Sequence, residues 1–435
     1  MSPGPAPAKH ITESTATTGT EDAGTADAGT ADLVEDFKDR PGVDPHAEYA
    51  RMRAECPVQR VRRASGLKPY LITRYADAKA AMADPRLSKN PHYAEKEITE
   101  AGLAYFLLNS GTGLSYNMGT ADPPAHTRLR KPVAAEFTPR RVEGLRQRIQ
   151  EIADELIDAF ADRGEADLMS EFAAGLPALV IAELLGLPRE EAEQFRQWGF
   201  DSQRPPQDPR QAAALLALNE YVAENIRRKR REPAKDLLSA LVSSNDEDRL
   251  TDEELLGNAV LLLITGHETT INLLGNGLFA LLQNPDQLEL LRRQPELIPG
   301  SVDELLRYEG PVERATSRYA TEDVEIAGTV IPKGSIVVVV LSSANRDPEA
   351  FGDPDTLDVT RGADVRAHLA FGHGIHFCPA APLARLEAQI AFETLLRRLP
   401  TIELAVPAAE VTYTPSHLMR SLESLPVRFT TKPRP

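Results

Sequence analysis

Through the middle of the chain, apolar residues recur at helical spacing. LRQRIQEIADELIDAFAD (145–162) and LPALVIAELLGL (176–187) both carry the three-and-four periodicity of amphipathic helices, and residues from about 139 to 300 read as helical throughout. RPPQDP (Arg204–Pro209) interrupts this run, as a connection between two helices would. The stretch 252–283 predicts one helix roughly 48 Å long at 1.5 Å per residue. Upstream, HAEYARMRAE (His46–Glu55) predicts a helix, VQRVRR and PYLITRY two strands around a Ser65-Gly66 turn, and 76–84 another helix. Residues 86–120 hold no sustained period and read as a long loop with short helical turns, a length that is usually functional. After about 320 the pattern changes. VEIAGTVIPKGSIVVVVLS carries turn signals at Gly328 and Gly334 and a β-branched run from Ile336 to Val340, so β structure is expected. A helix over 383–398 and a β-rich tail over 401–430 complete the chain. The expectation is a mainly α, single-domain α+β fold over 33–435, regular from near Asp44, after a disordered tail (1–32) with a short AGTAD repeat.

Composition narrows the function classes. With 42% apolar residues in 435, a large core is available and wholesale disorder is excluded. A net charge of −16 argues against a general nucleic-acid-binding role. The two cysteines, Cys56 and Cys378, make no disulfide framework and suit a reducing compartment. The first residues lack the apolar core of a secretion signal, and the longest strongly apolar run, Ala259–Ile264, is far short of the ~20 residues that span a bilayer. These features predict a soluble, cytoplasmic protein without membrane attachment.

The residues with most chemistry lie in HLAFGHGIHFCPAAPLARLEAQ. A glycine-punctuated loop delivers Cys378 to the start of a helix, where the macrodipole and unpaired N–H groups favour thiolate over thiol. A thiolate is a metal ligand or a nucleophile, whereas a lone cysteine is more often inert and buried. Two further patterns stand out. Thr265-Gly266-His267-Glu268-Thr269-Thr270 places polar residues in mid-helix, an inconsistency expected of a functional site, although a kink with threonine back-bonding gives the same pattern. Glu304 and Arg307, and His126 and Arg130, sit at spacings that share a helix face.

Taken together, in this order, the motifs resemble the cytochrome P-450 superfamily, over roughly residues 40–430. Phe371-Gly-x-Gly-x-His376-x-Cys378 followed by Leu383-Ala-Arg385 is similar to its haem-thiolate loop. The resemblance implies Cys378 as axial ligand of a haem b iron, an electron push that favours O–O cleavage. It implies His126, Arg130, Arg318 and His376 as haem propionate contacts, with Phe371 beside the haem. Glu304, Arg307 and Arg361 are implied as a structural set, and Gly266, Glu268 and Thr269 as the oxygen groove and proton-relay pair. Substrate contacts are implied at Tyr105, Phe106, Leu107, Leu108, Trp198, Phe200, Ile264, Thr265, Val312, Leu418 and Met419. This apolar set suits a lipophilic small molecule, although aromatics at such spacing are as often plain core. GPVERAT and EFTPRRV look most like bacterial members that hydroxylate macrolides and other polyketides. Glu95, Glu97 and Glu100 are the acids that would suit a cationic amino sugar, exposure being their default state.

The sequence departs from the family pattern beside the ligand. Pro379 has no N–H to offer the sulfur, which predicts a more electron-rich thiolate, and Ala380 replaces a glycine, adding a Cβ near the porphyrin. Thr265 stands where Ala or Gly is usual. No flavin or iron–sulfur signature is present, so the resemblance implies O2 as co-substrate and NAD(P)H electrons arriving through a ferredoxin reductase and a ferredoxin. Arg128, Arg130, Lys131, Arg140, Arg141, Arg146 and Arg148 form a basic stretch that would dock an acidic partner, or an ordinary solvated face. The enzyme would act as a monomer. Haem-thiolate coupling of C–C or C–O bonds is the alternative reaction. A hydrolase using Cys378 with His376 or His373 and a non-catalytic haem sensor are the more distant classes.

Overall fold

The computed structural model describes residues 33–39, 45–104, 108, 116–202, 204, 208–243 and 250–432. The AGTAD repeat and the candidates Tyr105, Phe106 and Leu107 lie outside the described residues. Among the described residues helices dominate, and eleven short strands form three sheets. The strands are β1 Leu33–Glu35, β2 Val58–Arg62, β3 Tyr70–Ile72, β4 Leu87–Ser88, β5 Glu165–Asp167, β6 Arg318–Ala320, β7 Val324–Ile326, β8 Thr329–Ile331, β9 Ile336–Val339, β10 Glu403–Leu404 and β11 Pro426–Arg428. The largest sheet runs β1-β2-β3-β9-β6-β4; β10-β11-β5 and the β7-β8 hairpin are separate. Regular structure is thus already present at Leu33–Glu35, ahead of the expected start near Asp44, because β1 pairs in parallel with β2 and buried Asp36 meets both terminal nitrogens of Arg314, at 2.5 and 2.9 Å. The tail is less β-rich than its composition suggests. Past β10 it is held mainly by single bridges such as Val312–Met419 and Tyr413–Leu422.

A helix over Asp252–Gln283, 32 residues long, runs through the largest apolar cluster. Its start is fixed by a capping box: Thr251 accepts from the Glu254 N–H, and Glu254 accepts from the Thr251 N–H. Leu and Ile on its flanks meet the helices Gly175–Leu185, Ala192–Ser202, Pro209–Arg231, Ile298–Glu309 and Ala381–Arg398. Among the described residues no helix is long and apolar enough to cross a membrane.

Helix Ile298–Glu309 carries two adjacent carboxylates that position the cysteine loop. Glu304 and Arg307 are essentially unexposed and paired twice, at 2.7 and 2.8 Å. The other Arg307 donors reach the carbonyls of Asn345, Pro354 and Thr356, so all five N–H groups of the fork are used. Arg361 adds a bond to Glu304 at 3.0 Å, as does the Asp358 N–H. The expected set is therefore assembled, and it ties 345–361 to one helix face. A buried pair stripped of one partner leaves an uncompensated charge. Arg307→Met should therefore destabilise the protein by about 3–5 kcal/mol in denaturant unfolding; a loss under ~1 kcal/mol would contradict this role.

Candidate active site

Asp303, beside Glu304, accepts from His368 at 3.0 Å and from Arg385 at 2.8 Å. The Arg385 guanidinium lies 4.5 Å from the Phe371 ring centroid, and the Cys378 N–H donates to the Phe371 carbonyl at 2.9 Å. Ion pairs, a cation–π contact and a backbone bond thus lead in sequence to the cysteine. Gly372 and Gly374 hold φ of +76° and +74°, a region closed to most side chains, and at Gly374 a Cβ would meet the Met82 carbonyl at 3.1 Å. Asp303 and His368 were not singled out from the sequence; the run Asp303-Glu304 in the E-x-x-R helix was the available signal.

The N–H groups of Ala380 and Ala381 favour the Cys378 thiolate electrostatically, at the start of helix Ala381–Arg398, while the Ala381 N–H donates to the Cys378 carbonyl at 3.4 Å. As the sequence predicted, Pro379 contributes no N–H. One expectation is corrected. Burial raises the thiol above its ordinary value, outweighing the N–H groups and the nearby charges of Arg130 and Arg385 that oppose it. The helix start softens the cost of a thiolate without removing it; a metal cation supplies the difference, since coordination deprotonates a thiol. Ala380 adopts φ −87° and ψ 6°, where a Cβ carries no backbone strain. Neither His376 nor His373 is bonded to the sulfur. The His376 ring instead packs 4.3 Å from that of His126, so the bonded nucleophile–base pair of a cysteine hydrolase is not formed among the described residues.

Next to this loop His126, Arg130, Arg318 and His376 come together as expected. Lys89, which the sequence did not flag, joins them. The Nε2 atoms of His126 and His376 are buried without partners. Burial, then the neighbouring His126, Lys89, Arg318 and Arg130, push His376 down to about 3. Burial and Arg318 lower Lys89 to about 7, and burial lowers Arg318 to about 10, against a partial pull from Asp122. Asp122 itself is engaged with the Ser88 hydroxyl and the Lys89 N–H. Lys89 Nζ also donates to Thr316 and Ser317 oxygens at 2.7–3.0 Å. Five basic groups face two carboxylates, Asp122 and, at Arg318, Asp84, so the cluster is short of anions. Two propionate groups would supply them, with hydrogen bonds for both orphaned imidazoles. The residues present fit haem. Arg130 also donates to the Phe377 carbonyl, joining this cluster to the cysteine loop.

Between residues 254 and 281 of the long helix, Thr265 is the one exposed residue. With partly exposed Leu261 and Thr269 it forms an accessible stripe at four-residue spacing. The Thr269 hydroxyl donates to the Thr265 carbonyl at 3.2 Å and the Thr265 hydroxyl to the Leu261 carbonyl at 2.8 Å, so back-bonding and an accessible polar face coexist. Gly266 points elsewhere. A Cβ there would lie 2.8 Å from Ile181, so this glycine lets helix Gly175–Leu185 approach and does not itself open a groove. Glu268 is buried, with Oε1 3.7 Å from His267 Nε2.

The substrate candidates divide. Val312 pairs with Met419, and the Glu313 and Arg314 N–H groups donate to the Leu418 carbonyl, so these three candidates meet. Ile264 is on the long helix and nearly buried. Leu108 belongs to the core cluster of the N-terminal sheet, and Trp198 packs on the main core beside Tyr221. Phe200 is exposed under Arg204. Glu97 accepts from the Lys68 N–H at 2.7 Å and is committed; Glu95 and Glu100 are exposed, Glu95 lying 3.8 Å from His92. The basic stretch is largely neutralised. Arg128 pairs with Glu254, Arg141 with Glu136, Arg146 with Glu143, and Arg148 with Glu183. Beside the cysteine, Ile375 and Phe377 are exposed at 52% and 40%, an apolar patch instead.

A model of the family described as Cytochrome P450 matches residues 211–405. Cytochrome P450 monooxygenase PikC of Streptomyces venezuelae is 50% identical over 402 residues, 91% of this chain and 93% of that protein. The tirandamycin C-bound structure of the P450 monooxygenase TamI matches with a TM-score of 0.84 and 45% identity, covering 92% of this chain and 100% of that one. The P450 enzyme CxnD, for C–S bond formation in chuangxinmycin biosynthesis, matches with a TM-score of 0.85 and 40% identity, covering 93% and 99%.

Two outcomes follow from the geometry. Arg318→Gln should speed haem loss to a scavenger protein about tenfold or more, from the ~1.5–3 kcal/mol of a charged hydrogen bond; an unchanged rate would show that no propionate rests there. Pro379→Leu returns an N–H to the sulfur and should raise the reduction potential of the haem-loaded protein. About 1 kcal/mol for one bond corresponds to ~40 mV in a one-electron couple; no change would remove the proline's role.

Proposed function

The chain belongs to the cytochrome P450 family, and on that premise we propose that it oxidises a lipophilic polyketide or macrolide by inserting one atom of dioxygen. The observation that carries this reading is the conjunction of a lone sulfur at a helix start, an anion-deficient cluster beside it, and an accessible pair of threonines in a buried helix. Haem b, when bound, supplies the redox chemistry: two electrons and two protons activate dioxygen, one oxygen atom passing to substrate and the other leaving as water. Cys378 would hold the iron. His126, Arg130, Arg318 and His376 would hold the propionates, and Lys89 would brace them through Thr316 and Ser317.

The remaining roles belong to side chains of this chain. Thr269 keeps its hydroxyl on the accessible stripe through the Thr265 carbonyl, so Oγ1 is fixed where a proton must be handed on. Glu268, behind it, holds the proton to be delivered. Val312, Leu418 and Met419 form one apolar ledge, and Ile264 and Thr265 would meet the substrate from the long helix. Polyketide chemistry is supported by the relatives, among them the tirandamycin-bound enzyme and a 6-deoxyerythronolide B hydroxylase from Saccharopolyspora erythraea at 43% identity. Electrons would come from a separate ferredoxin and its reductase. The exposed Ile375–Phe377 patch beside Arg130 supports docking there, with apolar contact outweighing charge. A second reading, oxidative coupling, is favoured by the likeness to the C–S bond-forming enzyme.

With a polyketide identified by its spin-state shift on binding, Thr269→Ala should lower the fraction of consumed NAD(P)H recovered as oxygenated product about tenfold, within the 10²–10⁴ span of positioned proton transfer. Substrate binding should be unchanged. Unaltered coupling would overturn the role of Thr269, and a product lacking added oxygen would favour the coupling reading.

A further inference from the structure

His267 lies one residue before Glu268 and is completely buried. Its Nδ1 is 2.6 Å from the Leu263 carbonyl. A carbonyl only accepts, so Nδ1 carries the hydrogen and Nε2 is a bare lone pair. Burial lowers the imidazole to about 4, so it stays neutral near pH 7. Nε2 has no hydrogen-bond partner, yet it is enclosed. Glu268 Oε1 is 3.7 Å away, and on helix Ala192–Ser202 a Cβ at Gly199 would come within 3.0 Å of the ring and 3.9 Å of that oxygen. The missing side chain at Gly199 therefore leaves room for the ring beside the acid. Phe195 meets the ring edge-on at 5.9 Å. Arg196, one turn before Gly199, faces both groups electrostatically and is itself bonded to Glu193.

We propose that His267 is a positioning residue that docks Glu268 in its proton-bearing form. The proposal rests on the monooxygenase reading of Glu268. An acid O–H can donate to the bare nitrogen by closing the gap to hydrogen-bond length, and no bond breaks. A carboxylate presents only lone pairs to that lone pair, is repelled by it, and is drawn to Arg196. The position of Glu268 thus follows its own proton: anchored when loaded, released when spent, anchored again on reloading. A side chain that merely filled space would give no such dependence.

The test uses infrared spectra of the haem-loaded protein across pH. Glu268→Gln identifies the protonated Glu268 carboxyl band by removing it, which separates it from any band of buried Glu387, whose carboxyl burial pushes well above its ordinary value. In H267N, which keeps a donor for the Leu263 carbonyl and lacks Nε2, the pH at which the Glu268 band disappears should fall by about one unit, the worth of one hydrogen bond. An unchanged or higher midpoint would overturn the proposal, as would the absence of any band removed by Glu268→Gln. Should H267N not fold, the nitrogen-15 signal of His267 Nε2 in the native, carbon-monoxide-bound protein answers the same question. It should move from the hydrogen-bonded to the bare position as the band is lost, and a constant signal would overturn the proposal. Product oxygenation by the native enzyme tests the underlying monooxygenase reading separately.

Discussion

Holding a sulfur atom where it resists ionising is the constraint around which this molecule is arranged. Burial raises the Cys378 thiol, and the N–H groups of Ala380 and Ala381 with the charges of Arg130 and Arg385 only partly compensate. Such a site is useful to a metal and poor for a free nucleophile, because the cation provides what the protein withholds. The loop must then be stiff. Asp303 and Glu304 act as a hinge-pin pair: one reaches His368 and Arg385, the other Arg307 and Arg361, and between them they hold both ends of the segment from 345 to 385.

The basic cluster follows the same logic. His126, His376, Arg318 and Lys89 are all pushed toward neutrality by burial, with neighbouring basic groups adding to it at His126, His376 and Lys89. That is an unstable grouping unless a dianion belongs there. The cluster is attached to Thr316 and Ser317 through Lys89 and to the cysteine loop through the bond from Arg130 to the Phe377 carbonyl. The basic cluster and the cysteine loop are therefore joined by one set of hydrogen bonds.

Much of this could be read from the residues. The long helix showed both of its ends, since Thr251 and Glu254 form a capping box and Asn284-Pro285 ends the run. Arg307 and the cysteine loop carry local spacing that only a few geometries satisfy. What escaped depends on distant partners. Asp36 is ordered by Arg314, far along the chain, so composition alone placed the start of regular structure too late. Lys89 sits in a loop without periodicity, and its role appears only when Arg318 and His376 arrive beside it. The tail carries β-forming residues yet makes few ladders, because its bonds go to isolated partners. Gly266 was legible as a special position, but its purpose, the approach of Ile181, needed the neighbouring helix. Charges along 126–149 looked like a free face until their acidic partners were in place.

The central claim is sulfur ligation of the haem iron by Cys378, and it is tested most directly by the absorption spectrum of the reduced, haem-loaded protein under carbon monoxide. The account predicts the red-shifted band of thiolate-ligated haem, abolished when Cys378 is replaced by serine. A native band at the position of nitrogen-ligated haem, or a red-shifted band that survives the replacement, would contradict it.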